Sequence, residues 1–448
     1  MSVLVVAPLL VALATAILAL GLRIAPRLQC AVVIVGAAGY AVAVAVLVQQ
    51  VLDGGVLVYQ VSGWPAPYGI TLVADALSAF MLAMTAIVAV AAAVFSLVGI
   101  DRFGQRIAYH PLAFFTLTGA TGAFLTGDVF NLFVWFEVML LPSYVLVVFY
   151  GEERHTAAAL RYTALNLFGG AVMLVAVGGL YATTGTLNMA DMAQRLAAAG
   201  TAGAAVADPT PVLGLAALLF AVFALKAGLV PFQFWVPSAY RAAPAPATAL
   251  LAGVTKKVGI YAIIRLGFTV FAELELSADL ALPGVSGTGV LGYFGPLLFV
   301  AAAASIVLGG IAATNRDELE FVFAYSSIGQ VGFIVLPLAV AATATDPAIT
   351  TLGIAATLVY ALNHALAKSL LFLVSGSLRT EVGSTRLSEL GGLAGAQPVL
   401  SGSFLVGASH RCSASSGSCS SSIRPRAHGS PANRPLSSPS PSRCSGRY

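Results

Sequence analysis

Residues 126–150 read TGDVFNLFVWFEVMLLPSYVLVVFY, an apolar stretch with a single deep acid, Glu137. Two further stretches share its design. Residues 215–235, LAALLFAVFALKAGLVPFQFW, hold Lys226, and residues 247–264, ATALLAGVTKKVGIYAII, hold Lys256 and Lys257. A charge at the centre of a bilayer costs ~2.5–3.5 kcal/mol on insertion scales. Chains keep such groups where they face one another or water, and there they mark an ion or proton path. The three stretches therefore read as membrane helices of a protein that moves charge.

The rest of the chain agrees. Its 448 residues are 59% hydrophobic and 9% charged, with a mean hydropathy of +0.93. Soluble domains carry about 25% charge, and a membrane helix needs roughly 20 mostly apolar residues. The expected class is an all-α polytopic membrane protein. Forty-five glycines suit close helix packing in lipid. The first apolar run, Val3 to Leu22, lacks a basic flank and reads as helix 1, not as a cleaved leader. Hydropathy and punctuation give eleven complete spans: 2–22, 30–51, 71–99, 111–126, 129–150, 162–184, 211–236, 244–272, 290–313, 320–343 and 349–378. The fourth and fifth are divided only by Thr126-Gly127-Asp128.

Loop charges test this division. Arg23, Arg27, Arg102, Arg106, Arg154, Arg161, Arg241, Arg316, Arg379 and Arg386 follow odd-numbered spans, whereas the remaining connections hold only Arg195. Basic loops stay in the cytoplasm, so the N-terminus is expected outside. The long connection 185–210 contains an amphipathic stretch, Leu187 to Leu196, that suits the outer surface.

The formal net charge of +4 is set by the tail, where six arginines follow residue 408 with no acid among them. Residues 1–407 carry sixteen basic and eighteen acidic groups, which gives no reason to expect nucleic-acid binding. Pro398 to Gly407 begins a twelfth apolar segment. The remainder, 408–448, is rich in Ser, Arg, Pro and Cys. It reads either as a disordered extension or, the reading its composition favours, as translation in a shifted frame. Three of the four cysteines lie there, with no metal-ligand or disulfide spacing.

Within the spans the chemistry is carried by few residues. Glu137 is short and central, which disfavours simple snorkelling. Lys226 is followed by Pro231 and Pro237, so its helix should break just after the lysine. Broken helices free backbone groups where an ion path is lined. The plain alternative is a lysine that only pairs with Glu137 to hold the bundle. Lys256 and Lys257 point about 100° apart, so one can relay protons while the other packs or pairs. His364 and Lys368 in YALNHALAKSLLFL share a helix face at i, i+4, and histidine suits proton relay near neutral pH. Asp75 and Asp128 lie near span ends and read as interfacial, and Arg265 as paired or snorkelling. There is no Walker A sequence, no GxGxxG opening a helix after a strand, and no haem or iron–sulfur cysteine pattern. No cofactor is expected, and driving energy must come from an ion gradient or a partner subunit.

These stretches, with FALKAGLVPFQFWVPSAYRAAPAPATALLAGVTKKVGIYAIIR (223–265) and AYSSIGQVGFI (324–334), resemble the antiporter-like subunits shared by complex I and the Mrp-type multisubunit Na+/H+ antiporters. VLDGGVLVYQVSGWPAPYGITLVADALSAFML (51–82) is most similar to the D-type member of the Mrp set. The resemblance implies a fourteen-helix, inverted-repeat bundle. Residues 1–110 would hold helices 1–3, 111–272 the first five-helix repeat and 290–407 an incomplete second repeat. It implies proton transfer through Glu137, Lys226, Lys257, His364 and Lys368, with Glu137 paired to Lys226 and helix breaks at Pro231 and Pro237. Lys256 matches no family position. The expected protein is a multi-pass subunit of a bacterial cell-membrane antiporter, working with partner subunits on protons and a monovalent cation, sodium. A proton-pumping subunit of NADH-quinone oxidoreductase or of a membrane hydrogenase is the nearest rival. A non-transporting assembly scaffold is the second.

Overall fold

Polar residues at the edges of the apolar runs decide where helices start. Asp75 accepts a hydrogen bond from Ser78 N at 2.9 Å and Asp128 one from Asn131 N at 2.8 Å, and a helix begins after each. Such caps satisfy backbone donors that a first turn leaves free. The structure, a computed structural model, describes residues 3–409 except 152, 202–203, 273, 275–288, 393–394 and 396, all within one unit, Met1–His410. The expected tail, 408–448, thus lies outside the described residues from 410 onward.

In chain order the helices are α1 (Ala7–Gly21), α2 (Pro26–Gly54), α3 (Ala76–Gly99), α4 (Arg102–Ile107), α5 (Tyr109–Leu125), α6 (Val129–Val147), α7 (Glu153–Thr184) and α8 (Met189–Ala197). There follow α9 (Thr210–Ala227), α10 (Val236–Ala242), α11 (Ala245–Val270), α12 (Val290–Thr314), α13 (Leu319–Thr343), α14 (Pro347–Glu381) and α15 (Pro398–Ser409). Each of the eleven spans expected from hydropathy contains a helix. Among the described residues nine of these are long and apolar enough to cross a membrane, while α1 and α5 have 15 and 17 residues. The division at Thr126-Gly127-Asp128 holds, because α5 ends at Leu125 and Asp128 caps α6.

One span needs correction. Residues 71–99 do not form one helix: Thr71–Ala74 is a strand, β2, paired antiparallel with β1 (Leu57–Gln60), and α3 starts only after Asp75. The β-branched Thr71 and Val73 suit a strand, and the Asp75 side chain stops the extended run by capping. This ribbon is the one described sheet in an otherwise helical protein.

The bundle centres on α11. Every residue from Lys256 to Arg265 is buried, with α5 and α9 packed on this segment and α3 and α14 on the turns of α11 before it. Apolar side chains of α2, α7 and α12, among them Val35, Phe168 and Val300, are exposed, as lipid-facing or subunit-facing surfaces must be. Helices α12 and α13 meet at Gly309, where an added Cβ would lie 2.4 Å from Gly329 N. Only a residue without a side chain permits that approach. Helix α8 is the amphipathic segment expected from Leu187 to Leu196. It buries Met189, Met192 and Leu196 and packs on the end of α11.

Candidate functional site

The helix carrying Lys226 ends one residue after it. Gly228 turns left-handed at φ +70°, a conformation glycine reaches without a Cβ penalty. The freed backbone groups find partners: Leu229 N donates to Ala224 O at 2.9 Å, Trp235 Nε1 to Leu225 O at 2.9 Å, and Val230 N to Ser305 Oγ at 2.9 Å. The break thus falls at Gly228. Pro231 lies in the unwound linker, and Pro237 sits in the first turn of α10, where a proline costs little. The ammonium of Lys226 is buried. It donates to Asn166 O at 3.4 Å and lies 5.5 Å from the Phe136 ring centroid.

Glu137 and Lys226 do not form the ion pair the resemblance implied. The Oε1 of Glu137 has no hydrogen-bond partner among the described residues. It packs instead against α7, where a Cβ on Gly170 would come within 2.7 Å of it. The backbone carbonyl of Asn166, one turn earlier on α7, accepts the hydrogen bond from Lys226. The two charges remain near enough to act on each other, without a hydrogen bond or ion pair between them.

The second cluster is tighter. A π-helical turn, Leu251–Thr255, precedes Lys256 in α11, and such turns recur at functional sites. Lys257 Nζ takes a carbonyl of this turn, donating to Ala252 O at 2.6 Å, and makes a hydrogen bond with His364 Nδ1 on α14. His364 Nε2 pairs with Ser327 Oγ of α13 at 2.9 Å. One turn further along α14, Lys368 donates to Phe323 O at 3.0 Å and to Ser326 Oγ at 2.9 Å. Lys257, His364 and Lys368 are all essentially inaccessible. Sequence reasoning does not single out Ser326 and Ser327; their signal is two adjacent hydroxyls in an apolar helix.

Other charges brace the bundle. Arg265 binds Asp75 through two nitrogens, at 2.5 and 2.8 Å, and also donates to Tyr261 Oη and Ser78 Oγ at 3.1 Å. Burial acts to raise the Asp75 carboxyl, but the Arg265 and Ser78 hydrogen bonds outweigh it and hold the group below the usual carboxylate range. Arg241 pairs with Glu318 at 2.6 Å, and Arg379 with Glu320 at 2.6 Å. Arg241, Arg379 and Arg386 line a cavity of about 320 Å³, so these arginines gather at one end of the helices.

Buried lysines, a histidine and a broken helix thus lie together in an apolar helical bundle, and comparison with known proteins gives its class. Residues 126–414 match the transmembrane family NADH:quinone oxidoreductase/Mrp antiporter, TM, and the chain belongs to that family. It is 35% identical over 363 residues to the D-type subunit of the Na(+)/H(+) antiporter of Alkalihalophilus pseudofirmus, covering 81% of this chain and 67% of that protein. It is 36% identical over 353 residues to the N-type subunit of the NADH-quinone oxidoreductase of Desulforudis audaxviator, covering 78% of this chain and 64% of that one. A chain of the Mrp complex structure from Dietzia sp. DQ12-45-1b superposes with a TM-score of 0.78 at 29% identity, over 91% of this chain and 71% of that chain. The protein is therefore of the transporter class, not an enzyme of its own.

Proposed function

We propose that this chain is the D-type subunit of an Mrp-type multisubunit antiporter that exchanges protons for sodium, and that it carries protons through Glu137, Lys226, Lys257, His364 and Lys368. The observation that carries the reading is the unbroken buried contact from Lys257 through His364 to Ser327, with Lys368 one turn away. A proton leaving Lys257 has an acceptor already in hydrogen-bond contact. Lys226 stands beside the helix break, as a carrier at the head of the path would. Residues 111–272 form the first repeat of this arrangement, and the repeat beginning at 290 supplies His364 and Lys368. The arginines gathered at one end support a cytoplasmic placement of that end, with the N-terminus outside. Other subunits complete the complex, and the ion gradient supplies the energy.

In everted vesicles from an antiporter-deficient host expressing the whole complex, Glu137→Ala and Lys226→Ala abolish sodium-driven proton exchange while the complex still assembles. Full exchange by either variant defeats the relay. The identity to an NADH-quinone oxidoreductase subunit favours a second reading, a redox-driven proton pump. Deleting the gene separates the two: loss of sodium and alkali tolerance supports the antiporter, and loss of NADH-driven proton pumping supports the pump.

A further inference from the structure

Lys256 is fully buried, and its Nζ has no hydrogen-bond partner among the described residues. A buried ammonium without a partner carries the full cost of desolvation, so such a group calls for a reason. Its surroundings supply one. The Lys256 side chain reaches back into the break of α9: a Cβ on Gly228 would lie 3.1 Å from its Cε and 3.2 Å from its Nζ. The ammonium nitrogen thus occupies the space left by the glycine that ends the Lys226 helix, two residues after Lys226. On the other side lies the Tyr240 ring, whose centroid is 5.6 Å away. One turn further along α11, Gly259 approaches α9 so closely that an added Cβ would lie 3.2 Å from Lys226 Cβ. Lys226 and Lys256 therefore flank a single helix contact, and Lys257 is the next residue in the chain.

We propose that Lys256 is an additional proton carrier, seated in the helix break between Lys226 and Lys257. The proposal rests on the relay reading above and adds a member to it. Each step is a single proton transfer. An N–H bond breaks at Lys226 and forms at the Lys256 amine; the same proton then passes to Lys257, and on to His364 Nδ1. No other reactant is consumed. Of the titratable groups around this position, Tyr240 of α10 faces the ammonium, Lys257 is the next residue on the same helix and bonds His364 of α14, and Lys226 lies across the Gly259 contact with its ammonium on Asn166 O.

The test compares Lys256→Met, which keeps the bulk and loses the amine, with Lys256→Arg, which keeps a charge but does not release its proton. Both are measured in the assembled complex in everted vesicles, as sodium-driven proton exchange per complex, beside Lys226→Met and Lys257→Met. A carrier predicts that Met and Arg each lower exchange at least tenfold. Half of the normal rate or more with Met makes Lys256 packing only, and with Arg makes it a fixed charge; either result overturns the proposal. If the Lys226 and Lys257 variants are inactive while Lys256→Met is active, only this inference falls. If they too are active, the whole relay falls. Should Met or Arg reduce assembly, Lys256→Gln, measured per assembled complex, is judged by the same threshold.

Discussion

Replacing Asp75 with asparagine isolates one ion pair from the helix cap built on the same residue. Asparagine caps as well as aspartate, so Ser78 N keeps its acceptor. The charge opposite Arg265 is lost, and so is one of the two direct acceptors. Arg265 is 8% exposed and cannot turn to water. Breaking a buried pair by removing one partner costs about 3–5 kcal/mol. The Asp75 side chain is 23% exposed and asparagine still accepts one hydrogen bond, so the expected loss is about 2–3 kcal/mol. Asp75→Ala also removes the cap and adds roughly 1 kcal/mol. Equilibrium unfolding in mixed micelles reads both. The pH dependence follows from the depressed carboxyl: its contribution is complete above the unfolded value of about 3.9 and fades as pH falls through the folded value. Wild type should therefore lose this increment only below about pH 4, and Asp75→Asn should lack that step. A loss under about 0.5 kcal/mol for asparagine, beside a clear loss for alanine, would refute the pair and leave only the cap.

Two further outcomes follow from single contacts. Ser327→Ala removes a hydrogen-bond partner of His364 Nε2; at a net value of about 1 kcal/mol, exchange per complex should fall roughly fivefold with assembly unchanged, and an unaltered rate would remove Ser327 from the path. Gly228→Ala places a Cβ in a left-handed residue, 2.7 Å from Val236 Cγ2 and 3.2 Å from Lys256 Nζ; unfolding in micelles should show a loss of at least ~1–2 kcal/mol, and wild-type stability would mean the turn at 228 is not as described.

Hydropathy carried the spans because a membrane helix is a long local signal. The prolines suggest a break after Lys226, but the residue that ends the helix is Gly228, with Pro231 and Pro237 beyond it. What the sequence hid depends on contacts between distant residues. The Arg265–Asp75 pair joins positions 190 residues apart, and nothing in either local sequence names the other. The strand at Thr71–Ala74 is as apolar as a helix start, so only its pairing with Leu57–Gln60 reveals it. The unformed Glu137–Lys226 pair is a miss of another kind. Their charged ends meet Asn166 and Gly170 of α7, neither of which the two local sequences name. Lys256 and Lys257 look alike in sequence. Their surroundings divide because a π-helical turn gives Lys257 a carbonyl and leaves Lys256 facing a glycine.

The balance of charge in this core constrains any relay built from it. Lys226, Lys256, Lys257 and Lys368 are all buried, while Glu137 is the one acid deep within a described span. Two like charges 4 Å apart repel by ~4 kcal/mol even at an effective dielectric of 20, roughly a thousandfold in occupancy. Lys256 and Lys257 are chain neighbours in the same buried turn, so a proton on one disfavours a proton on the other. Four simultaneous charges against one carboxylate would be prohibitive. In the proposed relay, a proton arriving at one lysine pushes another off its neighbour, and direction is set by which neighbour has an acceptor ready. For Lys257 that acceptor is His364, already in contact. For Lys226 the next acceptor in that relay is Lys256, beside Gly228, since no hydrogen bond joins Lys226 to Glu137.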